Sequence, residues 1–180
     1  MDQAVTRWVN GLAGSNFLLD AFTIAVTQFG VPLLVLFVIV QWWSRLERPH
    51  VRHACVAAGL SFLFGLGLNQ IILLFVHRIR PYDAGVSHLI VAQSRDWSFP
   101  SDHATATFAI ATTFLSHRLG RRGLAFLIVA LLVSASRIYV GMHYASDVLG
   151  GAVTGTFAAA AVRALYREGT VADRFITGLL

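Results

Sequence analysis

Long apolar stretches separated by short polar segments run through almost the whole chain. A transmembrane helix needs about 20 consecutive apolar residues. Candidate spans cover residues 21–43, 54–75, 104–115, 123–139 and 148–165, of which the third is short and must borrow residues from both flanks. We therefore predict an all-α integral membrane bundle of about five transmembrane helices. It is preceded by a short amphipathic helix over residues 4–14, which we expect at the membrane interface.

Composition agrees with the bilayer as the solvent. The 180 residues suit one domain, and 56% of them are hydrophobic while only 13% are charged. Soluble domains carry about 25% charged residues, and the mean hydropathy here is +0.66. Residues 1–180 are therefore predicted to form a single membrane-embedded domain. Cys55 is the only cysteine, so no internal disulfide can form.

The arginines predict how the bundle is oriented. All fourteen basic residues are arginine. Eight of them follow the first, third and fifth spans, and a ninth, Arg163, lies at the end of the fifth. Because positively charged loops stay in the cytoplasm, the loops 76–103 and 137–147 are assigned to the opposite face. Three histidines are expected to be surface groups on the cytoplasmic side: His50, His53 and His117. No basic stripe on a soluble face is visible, so we expect no nucleic-acid partner.

Two glycines in the last span, Gly151 and Gly155, form a GxxxG pattern. Such pairs allow two helices to approach closely, but the pattern is common by chance. We expect it to serve packing inside the bundle rather than dimerisation.

Three polar segments lie at the predicted non-cytoplasmic face, each beside an apolar helix. They read HRIRPYD (77–83), FPSDHA (99–104) and SRIYVGMHYASD (136–147). Together they supply arginines, histidines and carboxylates, with no obvious cage for a divalent metal. We therefore expect neither a metal nor another cofactor.

This set of residue types favours phosphoryl transfer. Arginine presents paired N–H donors that match a phosphate. Ser101 and His103 stand at the start of a helix, where free backbone N–H groups favour an anion. His143 can attack phosphorus if Asp147, four residues later, holds its far ring nitrogen. His103 can then protonate the departing oxygen and later activate water.

The three segments resemble the three-part signature of the type 2 phosphatidic acid phosphatase superfamily. The matching residues are RP at 80–81, PSDH at 100–103 and Ser-Arg-x5-His-x3-Asp at 136–147, in the same order between spans. The similarity extends over residues 73–151. The PSDH form is similar to the bacterial undecaprenyl-diphosphate phosphatase branch.

The resemblance implies a role for each matching residue. His143 would be the nucleophile that forms a phosphohistidine, Asp147 its orienting partner, and His103 the general acid and base. The implied phosphate-binding groups are Arg80, Arg137 and Ser101. They would stabilise the pentacoordinate phosphorus. Members of the family generally work without a required metal.

Two positions depart from the family pattern. The family has a lysine seven residues before the arginine of RP, and that position here is Leu73. Arg78 could reach the same anion from a turn, which predicts that Arg78→Ala loses activity almost as severely as Arg80→Ala. Asp102 places a carboxylate beside the phosphate. It must pair with arginine, face away, or accept a divalent ion that bridges a diphosphate.

The resemblance further implies a lipid phosphatase of the bacterial inner membrane, with its site on the periplasmic or extracellular side. The expected substrate is undecaprenyl diphosphate, whose hydrolysis to undecaprenyl phosphate recycles the carrier lipid of cell-envelope synthesis. One alternative is a phosphatase of phosphatidylglycerophosphate, phosphatidic acid or lipid A. Another is an inactive relative that binds lipid phosphates, which Leu73 would favour. The last alternative is a small membrane transporter. The spans are nearly free of charged residues, which argues against translocation of a polar substrate.

Overall fold

The structure is a computed structural model that describes residues 1–178, and the regular secondary structure in this range is helical. They are α1 (Asp2–Asn10), α2 (Phe17–Gln41), α3 (Arg48–Leu73), α4 (Asp102–Ser116), α5 (Gly120–Tyr139), α6 (Ala145–Leu165) and α7 (Val171–Thr177). No β-strand occurs within residues 1–178, and the all-α prediction is confirmed.

Four of these helices, α2, α3, α5 and α6, are long and apolar enough to cross a membrane. α4 has only 15 residues, so it is about 22 Å long and shorter than the apolar core of a bilayer. It packs against α3, α5 and α6, and most of its residues are buried. A helix enclosed by other helices does not need the full length of a lipid-facing span. The predicted multi-pass bundle therefore consists of four long spans around one shorter central helix.

Glycines let α6 lie directly against α4. A Cβ atom at Gly151 would overlap the carbonyl oxygen of Ser101, and one at Gly155 would overlap that of Thr105. The GxxxG pair thus faces the interior of the bundle, as predicted. Its close contact brings the first turns of α4 and α6 together.

The N-terminal helix α1 is docked on the end of the bundle where α4 and α6 begin. Asn10 Nδ2 donates hydrogen bonds to the carbonyl oxygens of His88 and Tyr139, both at 2.8 Å. Asn10 Oδ1 accepts a hydrogen bond from the amide of His88 at 2.7 Å. The segment predicted over residues 4–14 is a helix over Asp2–Asn10. Asn10 attaches this helix to the loops of the bundle.

The last helix, α7, packs against the first turns of α3 at the opposite end. His53 Nδ1 lies 2.8 Å from Asp173 Oδ1 in α7, and only 1% of His53 is exposed. His117 is also buried, and its ring centroid lies 5.0 Å from that of His53. The prediction that His53 and His117 are surface groups is wrong, because α7 covers His53 and the ring of His53 lies against that of His117.

Candidate active site

The first turns of α4 and α6 meet the loop between α3 and α4 at one end of the bundle. The amide of Ser101, the N-cap residue of α4, donates to the carbonyl oxygen of Asp147 in α6 at 3.0 Å. Just before α6, Gly141 has a φ of +80°, and a Cβ there would collide with the carbonyl of His88. Glycine therefore allows the turn that places His143 in the site.

His143 is buried, and its two ring nitrogens face different groups. Nδ1 lies 2.8 Å from the carbonyl oxygen of Ser98. Because a carbonyl can only accept, Nδ1 carries the proton and Nε2 keeps its lone pair. Nε2 lies 3.3 Å from Nη1 of Arg80. Burial lowers the pKa of His143 to about 4, so the ring is neutral and nucleophilic at neutral pH.

Asp147 is completely buried beside this ring. Its Oδ2 lies 3.6 Å from His143 Nδ1, beyond hydrogen-bonding distance. The same oxygen accepts hydrogen bonds from the Ser98 hydroxyl at 2.5 Å and from the Tyr144 amide at 2.8 Å, where it caps α6. The direct acceptor for the histidine proton is thus the carbonyl of Ser98. No pattern in the sequence singled out that residue.

Arg80 is fixed from several sides and is only 7% exposed. Its guanidinium donates to the carbonyl oxygens of Asp96, Met142 and Trp97 and to the hydroxyl of Ser94, at 2.8–3.3 Å. A cation held in this way is preorganised beside His143 Nε2. It can stabilise the negative charge of a bound anion without rearranging.

Arg137 and Ser101 each have a buried polar atom without a hydrogen-bond partner among the described residues. These atoms are Arg137 Nε and Ser101 Oγ. Arg137 Nη1 donates to the Thr27 hydroxyl at 3.2 Å, while Nε has no partner. A buried unsatisfied polar group costs about 1–3 kcal/mol. Both atoms therefore favour a polar ligand such as a phosphate oxygen.

His103 and Asp102 lie in the first turn of α4, at the rim of the site. His103 is partly exposed and lies within electrostatic range of His143 and Arg137. Asp102 is exposed, and its Oδ1 accepts a hydrogen bond from Asn69 Nδ2 at 2.6 Å. Asp102 is thus held by an amide of α3 rather than by an arginine.

Arg78 is engaged by carboxylates and a hydroxyl. Its Nη1 donates to Asp147 Oδ1 at 2.7 Å and to the Ser146 hydroxyl at 2.6 Å. Its Nη2 donates to Asp2 Oδ2 at 2.5 Å. The guanidinium carbon lies 4.0 Å from the ring centroid of Tyr144. These contacts join Arg78 to the carboxylate beside His143.

Asp2 completes this network from α1. Its Oδ1 accepts a hydrogen bond from the Ser146 amide at 2.9 Å, and its Oδ2 accepts one from the Ser146 hydroxyl at 2.7 Å. Burial opposes ionisation of Asp2, but the hydrogen bonds from Ser146 and Arg78 hold its pKa below the usual value. The sequence gave no reason to connect Asp2 with the site, because the two are adjacent only in the fold.

Comparison with known protein families supports the reading of the three motifs. The family model described as the PAP2 superfamily matches residues 54–170. The undecaprenyl-diphosphatase BcrC of Bacillus subtilis is 33% identical over 155 residues, covering 85% of this chain and 78% of that protein. A putative undecaprenyl-diphosphatase, YbjG of Escherichia coli, is 33% identical over 126 residues, covering 69% of this chain and 61% of that protein.

The fold is also similar to a solved structure. The crystal structure of a transmembrane PAP2-type phosphatidylglycerolphosphate phosphatase from Bacillus subtilis matches with a TM-score of 0.70 at 22% identity. The match covers 94% of this chain and 86% of that one. The arrangement of helices is therefore shared beyond the three motifs.

Proposed function

Because the chain belongs to the PAP2 superfamily, we propose that it hydrolyses undecaprenyl diphosphate to undecaprenyl phosphate and inorganic phosphate. One constellation carries this proposal. The neutral ring of His143 faces Arg80 at 3.3 Å, and Ser101 Oγ and Arg137 Nε are buried without partners in the described chain. A nucleophile beside fixed cations and unused donors suits a phosphoryl group. The similarity to undecaprenyl-diphosphatases supports the choice of lipid.

The first chemical step is attack by His143 Nε2 on the terminal phosphorus. The N–P bond forms while the bond from phosphorus to the bridging oxygen breaks. The anionic diphosphate favours the protonated form of His103, which donates its proton to that oxygen as undecaprenyl phosphate leaves. His143 Nδ1 keeps its proton and its hydrogen bond to the Ser98 carbonyl, so the phosphohistidine ring is positively charged. The buried carboxylate of Asp147, 3.6 Å away, stabilises that charge.

The second step returns the enzyme to its starting state. His103, now neutral, removes a proton from a water molecule, whose oxygen attacks the phosphohistidine. The N–P bond breaks, inorganic phosphate leaves, and His143 regains its lone pair. Arg80, Arg137 and Ser101 stabilise the equatorial oxygens in both transition states, with help from the backbone N–H groups at the start of α4.

Arg78 has a different role in this proposal from the one expected from the sequence. Its donors lie on Asp147, Ser146 and Asp2, so we assign it to positioning the carboxylate rather than to binding phosphate. With Leu73 in place of a lysine, the phosphate would then be bound by two arginines, Arg80 and Arg137.

The proposed location follows from the arginine distribution. The site lies at the end of the bundle opposite the arginine-rich loops. The positive-inside rule assigns those loops to the cytoplasm, which supports a site on the other side of the membrane. In a bacterial inner membrane, the lipid tail would stay in the bilayer while the diphosphate enters from the periplasmic or extracellular side. This activity would recycle the carrier lipid of envelope synthesis.

A phosphatase of another lipid phosphate is the second candidate. The similarity to a solved phosphatidylglycerolphosphate phosphatase favours it, and the same site chemistry would apply to a monophosphate. An inactive relative that only binds lipid phosphates is the third. Leu73 favours that candidate, because one cation of the family pattern is missing.

The test is phosphate release by the purified full chain in detergent micelles. Undecaprenyl diphosphate, phosphatidylglycerophosphate, phosphatidic acid and lipid A are compared by kcat/KM, each with a His143→Ala control. We expect the highest value for undecaprenyl diphosphate and inhibition by vanadate, which mimics five-coordinate phosphorus. A higher value for a glycerolipid phosphate would move the assignment to the second candidate. No release from any of them, by protein that is folded, would favour the third.

A further inference from the structure

The end of the bundle opposite the candidate active site contains a cavity of about 290 Å³. It lies where α3 begins and where α4 and α6 end. Most of its lining is basic or imidazole-bearing: Arg118, Arg163, Arg167, His50, His53 and His117. We call this feature the basic cavity. None of its residues belongs to the three motifs of the proposed phosphatase.

The carboxylates near the basic cavity are already paired. Glu168, which lines it, lies 2.8 Å from His50 Nδ1. Asp173, behind it, lies 2.8 Å from His53 Nδ1 and accepts the Tyr166 hydroxyl at 2.6 Å. The carboxylates are thus paired with imidazoles and a tyrosine hydroxyl, and not with the arginines.

The three arginines of the basic cavity have no ion pair or hydrogen bond from their side chains to any residue within 1–178. Arg118, Arg163 and Arg167 therefore present unused guanidinium donors toward one space. Burial lowers the pKa of His117, and the nearby guanidinium of Arg163 acts in the same direction. Positive charge is in excess here, and a bound anion would offset it.

An apolar groove lies next to the basic cavity. It has a volume of about 320 Å³ and runs between α3 and α6, lined by Leu60, Phe64, Ala161, Val162, Leu165 and Tyr166. Tyr166 lines both features. Phe64 and Leu165 are exposed on this surface. The groove is thus a lipid-facing surface that ends at a site for an anion.

We propose that this end of the protein binds an anionic phospholipid, with its phosphate in the basic cavity and an acyl chain in the apolar groove. Free phosphate would satisfy the arginines but leave the groove unused. A phospholipid satisfies both features at once. Guanidinium groups at the arginine-rich end of a membrane bundle suit the negatively charged headgroups of that leaflet.

The test is native mass spectrometry of the full chain in detergent, titrated with phosphatidylglycerol, phosphatidylcholine or inorganic phosphate. We expect phosphatidylglycerol to bind more tightly than phosphatidylcholine. Arg167→Gln should weaken phosphatidylglycerol binding about fivefold, and Arg163→Gln with Arg167→Gln further. Phosphatidylcholine binding should not change. Arg121→Gln is the matched control, since this exposed arginine lies at the same end but does not line the cavity.

A second variant separates a lipid from free phosphate. Ala161→Phe places a ring in the apolar groove and should weaken phosphatidylglycerol binding while leaving any binding of inorganic phosphate unchanged. Lipid phosphatase turnover by each variant verifies that it is folded. Equal affinity of wild type and the double arginine variant for phosphatidylglycerol would overturn the proposal. So would binding of inorganic phosphate alone, or phosphatidylglycerol binding that Ala161→Phe leaves intact.

Discussion

Arg78 and Asp147 form an ion pair in which Arg78 Nη1 lies 2.7 Å from Asp147 Oδ1. The other carboxylate oxygen, Oδ2, lies 3.6 Å from His143 Nδ1. Arg78 thus contacts the carboxylate that flanks His143, and through Asp2 it also connects that carboxylate to α1. We therefore expect Arg78 to affect the alignment of His143 more than the affinity for phosphate.

The first prediction concerns Arg78→Ala. Loss of the ion pair should let Asp147 and the His143 ring shift, so kcat should fall by up to about 100-fold, while KM changes little. Arg80→Ala is the comparison, because Arg80 lies 3.3 Å from the attacking nitrogen and its loss should reduce kcat by about 100-fold or more. Steady-state kinetics on both variants measure this. A large rise in KM for Arg78→Ala would instead make Arg78 a phosphate ligand.

The second prediction concerns Asp2→Asn. The substitution keeps the size of the side chain but removes the charge that holds Arg78 Nη2. We expect a smaller loss of kcat than in Arg78→Ala. The double variant should lose no more than Arg78→Ala alone, because both changes act on one network. Additive losses in the double-mutant cycle would show that α1 and Arg78 act separately.

The third prediction concerns pH. Burial lowers the pKa of His143 to about 4, and protonation removes the lone pair that attacks phosphorus. Activity should therefore fall as the pH drops through this low value. The acid limb of kcat/KM for the free enzyme should lie below about pH 5, rather than near the ordinary histidine pKa of about 6.5. A pH–rate profile, with circular dichroism to verify folding at each pH, measures it. An acid limb near pH 6.5 would contradict a neutral buried nucleophile.

The fourth prediction concerns the contact between α4 and α6. Gly151→Ala adds a methyl group that overlaps the carbonyl oxygen of Ser101. We expect a loss of about 1–3 kcal/mol in the free energy of unfolding, together with lower activity because Ser101 moves. Gly59→Ala is the control, since a Cβ there meets no atom within 4 Å. Thermal unfolding in detergent compares the two. Equal stability of both variants would show that α4 and α6 can separate without cost.

Much of the bundle follows from the sequence because the bilayer imposes simple rules. Apolar length identified the spans, and small residues at Gly151 and Gly155 predicted where two helices touch. α4 was harder to predict, because a helix surrounded by other helices does not need to be as long as the bilayer is thick. His53 was misjudged for a related reason: α7 covers it, and nothing in the local pattern around His53 indicates that a later helix returns to it.

Which side chains of the candidate site lie close together was predictable where one short segment holds them. The spacing of His143 and Asp147 placed them on adjacent turns, and the structure finds them close. The Ser98 carbonyl and Asp2 were not predictable, because a backbone acceptor carries no sequence signal and Asp2 is distant along the chain. Arg78 shows the same limit. Its position suggested a phosphate ligand, while its partners come from α1 and α6.

The most direct measurement is to trap the covalent intermediate. The purified protein is mixed with undecaprenyl diphosphate labelled in its terminal phosphate, quenched in alkaline denaturant, and examined for protein-bound label. The proposed mechanism predicts label that is stable to base, labile to acid, located at His143, and absent in His143→Ala. Label that persists in His143→Ala, or turnover by wild type without any bound label at the earliest quench times, would contradict it.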